Sequence, residues 1–92
     1  MMSFWEIRQH ITEIDLKIID LLSERISLVP KLVKCKKENG QSIFQPERET
    51  QMHNRYWKTA VEKQINPEFV RKVFGIIIDE MRRLQYEVRD NE

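Results

Sequence analysis

Arg25 and Lys36 stand eleven residues apart. At about 100° per residue, eleven steps return to within about 20° of the same helical face. Val29 and Leu32 share that face, so two cations bracket an aliphatic strip. Arginine is almost never fully buried unless paired, and an unpaired charge in a core is strongly destabilising. Such cations either snorkel to solvent, or meet an acid, or face a small anion. Glu49 is a similar anomaly, because it shares a stripe with Gln45, Met52, Tyr56 and Ala60. Gln85 follows Phe74, Ile78 and Met81 on another. Taken singly, Glu49 is a first-turn acid favoured by the helix dipole and Gln85 is an ordinary rim residue. Taken together, every predicted helix places a polar group on an inner face. That coincidence weakens each separate reading.

The remaining candidates are poor. His10 and His53 lack ligand spacing, so no metal is expected. No Ser-His-Asp or Cys-His constellation has support, and no glycine-rich loop cradles phosphate. The single cysteine, Cys35, excludes an internal disulfide framework and reads as a small buried hydrophobe. Trp5, Trp57, Tyr56 and Phe44 read as packing residues. Lys34 and Lys37 read as solvated.

Three helices must position these groups. The first is predicted over about 3–38. Ser3 and Glu6 form an S-x-x-E capping box, and Asn39-Gly40 supplies the stop. The loop is 39–45. Pro46, with Glu47 and Glu49 in the first turn, opens a second helix over about 46–62. Asn66 and Pro67 open a third over about 67–89. No strand alternation or internal repeat is visible. The fold class is therefore all-α, a single domain of 92 residues.

Along the first helix, Phe4, Ile7, Ile11, Ile14, Ile18, Leu21, Leu28, Leu32 and Cys35 recur in alternating steps of three and four, the rhythm of a coiled-coil seam. Arg25 interrupts the seam. Pro30 should kink the helix or remove one hydrogen bond. The pattern keeps its phase across Pro30, so the helix is predicted as continuous. Its length is roughly 50–55 Å at 1.5 Å per residue. A compact chain of this size has a radius of gyration of only about 12 Å. The two shorter helices cannot cover so long a stripe, so the expected unit is an intertwined homodimer.

Composition narrows the function. Sixteen Lys and Arg against fifteen Asp and Glu give a net charge of +1, which argues against a general nucleic-acid binder. No apolar run is long enough for a membrane span, and the N-terminus lacks the features of a signal peptide. The expected location is the cytoplasm.

Several blocks then fall in a familiar order. They are Ile7-Arg8, Ile14-Asp15, Leu21-Leu22-Ser23-Glu24-Arg25, Lys36, Pro46-Glu47-Arg48-Glu49, and Phe74-Gly75-Ile76-Ile77-Ile78 leading into Gln85. This set resembles the all-α class of chorismate mutases and covers most of the chain. The resemblance implies an intertwined dimer with two sites that convert chorismate to prephenate, without a cofactor, by a Claisen rearrangement. It implies Arg25 and Lys36 from one subunit and Arg8 from the other. Geometry agrees with that sharing, because Arg8 and Arg25 are about 25 Å apart along one helix and differ by about 100° in direction.

In the implied mechanism, Arg8 and Arg25 clamp the two carboxylates. Lys36 and Gln85 donate hydrogen bonds to the ether oxygen as it gains charge. Glu49 accepts from the ring hydroxyl, and Arg48 braces Glu49. Two positions depart from the family pattern. Gln45 stands where an aspartate is common, and Met81 where a small hydroxyl residue is common. Both lie at the substrate. Isochorismate pyruvate-lyase and 4-amino-4-deoxychorismate mutase share the fold and are the alternatives. Glu49, often missing from the lyase branch, favours the mutase. Because the chain ends soon after the third helix, a monofunctional enzyme is expected. From another class, a non-catalytic helical dimerisation or regulatory module would keep the fold without the activity. Neither the substrate among these three nor primary against specialised metabolism follows from the residues.

Overall fold

The computed structural model describes all residues, Met1–Glu92, and is all-helical. Helix α1 spans Phe4–Ser27, α2 Val29–Glu38, α3 Pro46–Glu62 and α4 Pro67–Asp90. The first predicted helix is thus present over its predicted range but is divided at Leu28. Pro30 is the physical cause. It has no N–H to offer the Ile26 carbonyl one turn back, and its ring crowds that oxygen. Leu28 stays near helical geometry (φ −83°, ψ −12°), and its carbonyl accepts from the Leu32 N–H at 2.9 Å. The interruption is one residue long, so α1 and α2 still form one rod. The longest dimension of the molecule, 55 Å, is that of the rod. No helix is long and apolar enough to cross a membrane.

The predicted caps are local and appear as such. Ser3 Oγ accepts from the Glu6 N–H at 3.2 Å, and Asn66 Oδ1 from the Glu68 N–H at 3.0 Å. Gly40, at φ +64°, ends α2 in a Schellman motif, with Gln41 N–H on Lys36 O at 2.8 Å and Gly40 N–H on Lys37 O at 3.3 Å. The end of α3 repeats this motif, with Ile65 N–H on Ala60 O at 2.9 Å and Gln64 N–H on Val61 O at 3.1 Å. Here the left-handed residue is Gln64, at φ +59°. An L side chain in that region costs about 1–2 kcal/mol, against about 0.5–1 kcal/mol of extra chain entropy for glycine. Gln64→Gly is therefore expected to stabilise the chain by about 0.5–1 kcal/mol, read as a raised Tm. An unchanged or lowered Tm would contradict it.

Helices α3 and α4 form an antiparallel hairpin. Glu49 faces Arg82 at one end, and the tilted rings of Tyr56 and Phe74 meet with centroids 4.6 Å apart toward the other. Helix α2 lies along the C-terminal half of α4, where Lys36 meets Gln85. Val29 and Val33 of α2 bury against Met81, with Ile77, Leu84 and Val88 beside them.

Helix α1 buries no residue. Its predicted seam lies open: Ile7, Ile11, Ile14, Ile18 and Leu21 are all about half exposed. The accessible surface is 7721 Å². A compact chain of this mass exposes about 5700 Å². The radius of gyration, 16.7 Å, likewise exceeds the compact value of about 12 Å. Two sequence expectations are corrected here. Cys35 is exposed rather than buried, because α4 takes up the opposite face of α2 through Val29 and Val33. Trp5 is 73% exposed and fills no gap in this chain.

Candidate functional site

A cavity of about 400 Å³ opens where the end of α1, the length of α2, the start of α3 and the second half of α4 converge. The sequence-predicted residues Arg25, Lys36, Gln45, Arg48, Glu49, Met81 and Gln85 all line it. Leu28, Leu32, Met52 and Ile78 supply apolar wall. The helical stripes explain the convergence. Arg25, Leu28, Leu32 and Lys36 keep one face across the Leu28 break. Gln45, the N-cap of α3, lies one turn before Glu49 and Met52 follows one turn on, as Ile78, Met81 and Gln85 do on α4.

Arg8 is the exception. It lies near the far end of α1, with its guanidinium 4.2 Å from the Phe4 ring centroid and 5.7 Å from that of Trp5. It does not reach the cavity of its own chain.

Lys36 is the best-fixed cation. Its Nζ donates to the Ile43 carbonyl at 2.8 Å and to Gln85 Oε1 at 2.8 Å. An ammonium has three donors and no acceptor, so one N–H stays free for a ligand. The same bond fixes the amide of Gln85. Its oxygen must face Lys36, which turns the –NH₂ away. Gln85 lines the cavity, and its Nε2 makes no hydrogen bond within the protein and is not fully enclosed. Lys36 and Gln85 together present two hydrogen-bond donors from adjacent helices.

Burial pushes the Lys36 ammonium below the ordinary lysine value, and Glu49 nearby partly opposes this. The charged form is the donor. An anion that depends on the ammonium is held below the lowered pKa and released as pH rises through it. A Lys36→Arg protein, permanently charged, should lose that alkaline fall in affinity; the same fall in that variant would contradict the contact.

Arg25 is half-buried and Arg48 exposed, and neither forms an ion pair with the chain's acids. Glu49 is paired, but not with Arg48. Its oxygens accept from Arg82 Nη2 at 2.5 Å and Nε at 3.1 Å. Glu49 is held from α4, and Arg48 makes no ion pair with it. Arg82 also lies 4.7 Å over the Phe44 ring. Its pKa is raised, chiefly by the hydrogen bond to Glu49. Gln45 donates from Nε2 to Gln41 Oε1 at 2.9 Å, which leaves its side-chain Oε1 without a protein partner.

Sequence reasoning missed two groups here, Arg82 and the Ile43 carbonyl. Arg82 had a usable signal, because Ile78, Arg82 and Gln85 follow the same four-then-three spacing that marked Gln85. The carbonyl of Ile43 had none, since it depends on the path of the loop.

Four cationic side chains and one carboxylate line the cavity. The cavity of this all-helical chain therefore carries an excess of positive charge, the complement of a small anion. The chain belongs to the chorismate mutase type II family, whose model matches residues 7–86. It is similar to the chorismate mutase of Methanocaldococcus jannaschii, with 38% identity over 80 residues, covering 87% of this chain and 81% of that protein. It is also similar to the bifunctional chorismate mutase/prephenate dehydratase of Buchnera aphidicola, with 37% identity over 73 residues. That match covers 79% of this chain but 19% of the bifunctional protein. No solved structure is significantly similar to the chain.

Proposed function

We propose that this protein is a chorismate mutase that works as a homodimer. The observation that carries the reading is the Lys36–Gln85 pair, two oriented donors in a cavity with Arg25 and Arg48 uncompensated. Rearrangement of chorismate to prephenate breaks one C–O bond and forms one C–C bond within a single molecule. It needs no nucleophile and no proton transfer. It needs a flexible dicarboxylate held in a compact chair, which is a problem of positioning. Arg25 takes one carboxylate bidentately. The other is taken by Arg8 of the second subunit, supported by Arg48.

As the ether bond breaks, charge collects on its oxygen. The free N–H of Lys36 and the Nε2 of Gln85 donate to it. Both donors are already oriented, so little reorganisation is needed as charge develops. Glu49 accepts from the ring hydroxyl, with Gln45 beside it. Met81, Leu28, Leu32 and Ile78 press on the apolar ring.

The dimer is supported by the open α1 seam and by about 2000 Å² of surface beyond the compact value. Loss of that much per chain falls in the range of obligate homodimer interfaces. Sedimentation at low micromolar concentration should give twice the monomer mass; a monomeric protein would contradict the shared site. For the substrate, chorismate, isochorismate and 4-amino-4-deoxychorismate are to be offered side by side. The reading expects the largest kcat/KM for chorismate. Preference for isochorismate with release of pyruvate would move the protein to the lyase reading.

A further inference from the structure

Arg82 has so far been given only the bracing of Glu49, yet several groups hold it in the cavity wall. It projects from α4 one turn before Gln85. Its fork spans the α3–α4 seam to Glu49, with bonds of 2.5 and 3.1 Å to the two oxygens. Its flat face covers the Phe44 ring at 4.7 Å, and Asp79 Oδ1 lies 3.5 Å from Nη1. Both members of the pair are about three-quarters buried, with side-chain exposures of 27% and 22%. A guanidinium held on one face and two edges cannot swing freely, so the carboxylate it grips is fixed too.

Two consequences follow from the chemistry. Each carboxylate oxygen has about two lone-pair sites, and the fork takes one from each. Glu49 therefore remains a hydrogen-bond acceptor with a set direction. The second consequence concerns charge. Glu49 is the only carboxylate lining the cavity. Left bare, it would repel a dicarboxylate and attract an ammonium. Paired with Arg82, it does neither strongly. Gln45 beside it is a neutral amide. This end of the cavity therefore offers acceptors without net negative charge, while Arg25, Lys36 and Arg48 supply uncompensated positive charge elsewhere.

We infer that Arg82 is a positioning and specificity-determining residue. It fixes Glu49 as an acceptor and cancels its charge, so that this end selects a ring hydroxyl over a ring ammonium in a dicarboxylate ligand. The inference rests on the proposed reading in one respect, that the ring substituent meets Glu49.

The test compares chorismate with 4-amino-4-deoxychorismate, whose amine is protonated near neutral pH. Affinities are read by calorimetry and kinetics by turnover, for wild type, R82M, R82Q and R82K. R82M should raise the KM for chorismate by about tenfold or more while kcat changes less than about threefold, because a uniform binding contribution is lost. It should shift the ratio of affinities toward the amino compound by about tenfold or more. R82Q, which can still hydrogen-bond to Glu49, should shift the ratio the same way and serves if R82M fails to fold. R82K keeps the charge but loses the bidentate fork, so its ratio should stay closer to wild type than that of R82M.

In an E49Q background the Arg82 charge is itself unpaired, so the ratio should move against the amino compound by about tenfold or more. A merely structural role would weaken both ligands alike. A flat ratio in R82M and R82Q, or an E49Q ratio that moves toward the amino compound, would overturn the inference. Calorimetry separates this outcome from failure of the proposed activity. A wild-type protein that binds chorismate without converting it contradicts the activity, and the ratio still decides Arg82. A protein that binds neither compound overturns both.

Discussion

Replacing Lys36 with alanine is expected to lower kcat for chorismate by roughly 10²- to 10³-fold or more, with the helical content and dimer retained. The cavity geometry gives the reason. Lys36 supplies one donor directly, and its bond to Gln85 Oε1 keeps the Gln85 amide turned so that Nε2 meets the cavity. Alanine removes the first donor and frees the amide of the second to rotate. Both losses fall on charge that develops only in the transition state, so kcat should fall more than KM rises. The fold should tolerate the change. Lys36 is only partly buried, and the Ile43 carbonyl it leaves can take water. Far-ultraviolet dichroism and sedimentation check the fold, and steady-state kinetics the activity. Near-normal kcat in a folded dimer would refute the role of Lys36 at the ether oxygen.

The second large effect concerns Arg8 and Arg25. Arg8→Ala and Arg25→Ala are each expected to cost at least 10²-fold in kcat/KM, the scale of a desolvated charge pair broken on one side. Refolded together, the two inactive proteins should regain activity. In a symmetric dimer with shared sites, a mixed pair has one site with both arginines and one with neither. Random pairing makes about half the dimers mixed, so recovery should approach about a quarter of wild-type activity. The cavity of a single chain contains Arg25 but not Arg8, and Arg8 rests among Phe4 and Trp5 at the opposite end of the rod. Demonstrated heterodimers without recovered activity would contradict the shared site.

Much of this site is legible in the residues because it is written in helical period. Arg25 to Lys36, Gln45 to Glu49, and Met81 to Gln85 each follow from 3.6 residues per turn, and all line one cavity. The caps at Ser3, Gly40 and Asn66 are equally local, needing only neighbours a few residues away. What escaped depends on relations between elements. Pairing of Glu49 with Arg82, 33 residues on, is set by the antiparallel register of α3 against α4, and period alone gives no register. The break at Leu28 escaped for another reason. An apolar rhythm reports side-chain faces, and these keep phase even where Pro30 withholds a backbone donor. Cys35 looked like core on the same rhythm. It lies on a face of the rod that no helix of its own chain covers.

The central claim is that a cation-lined helical cavity rearranges chorismate by position and electrostatics alone. Purified protein mixed with chorismate and followed by proton NMR tests it most directly. The account predicts that chorismate signals are replaced by those of prephenate in equal amount. Unchanged chorismate, or release of pyruvate in place of prephenate, would contradict it.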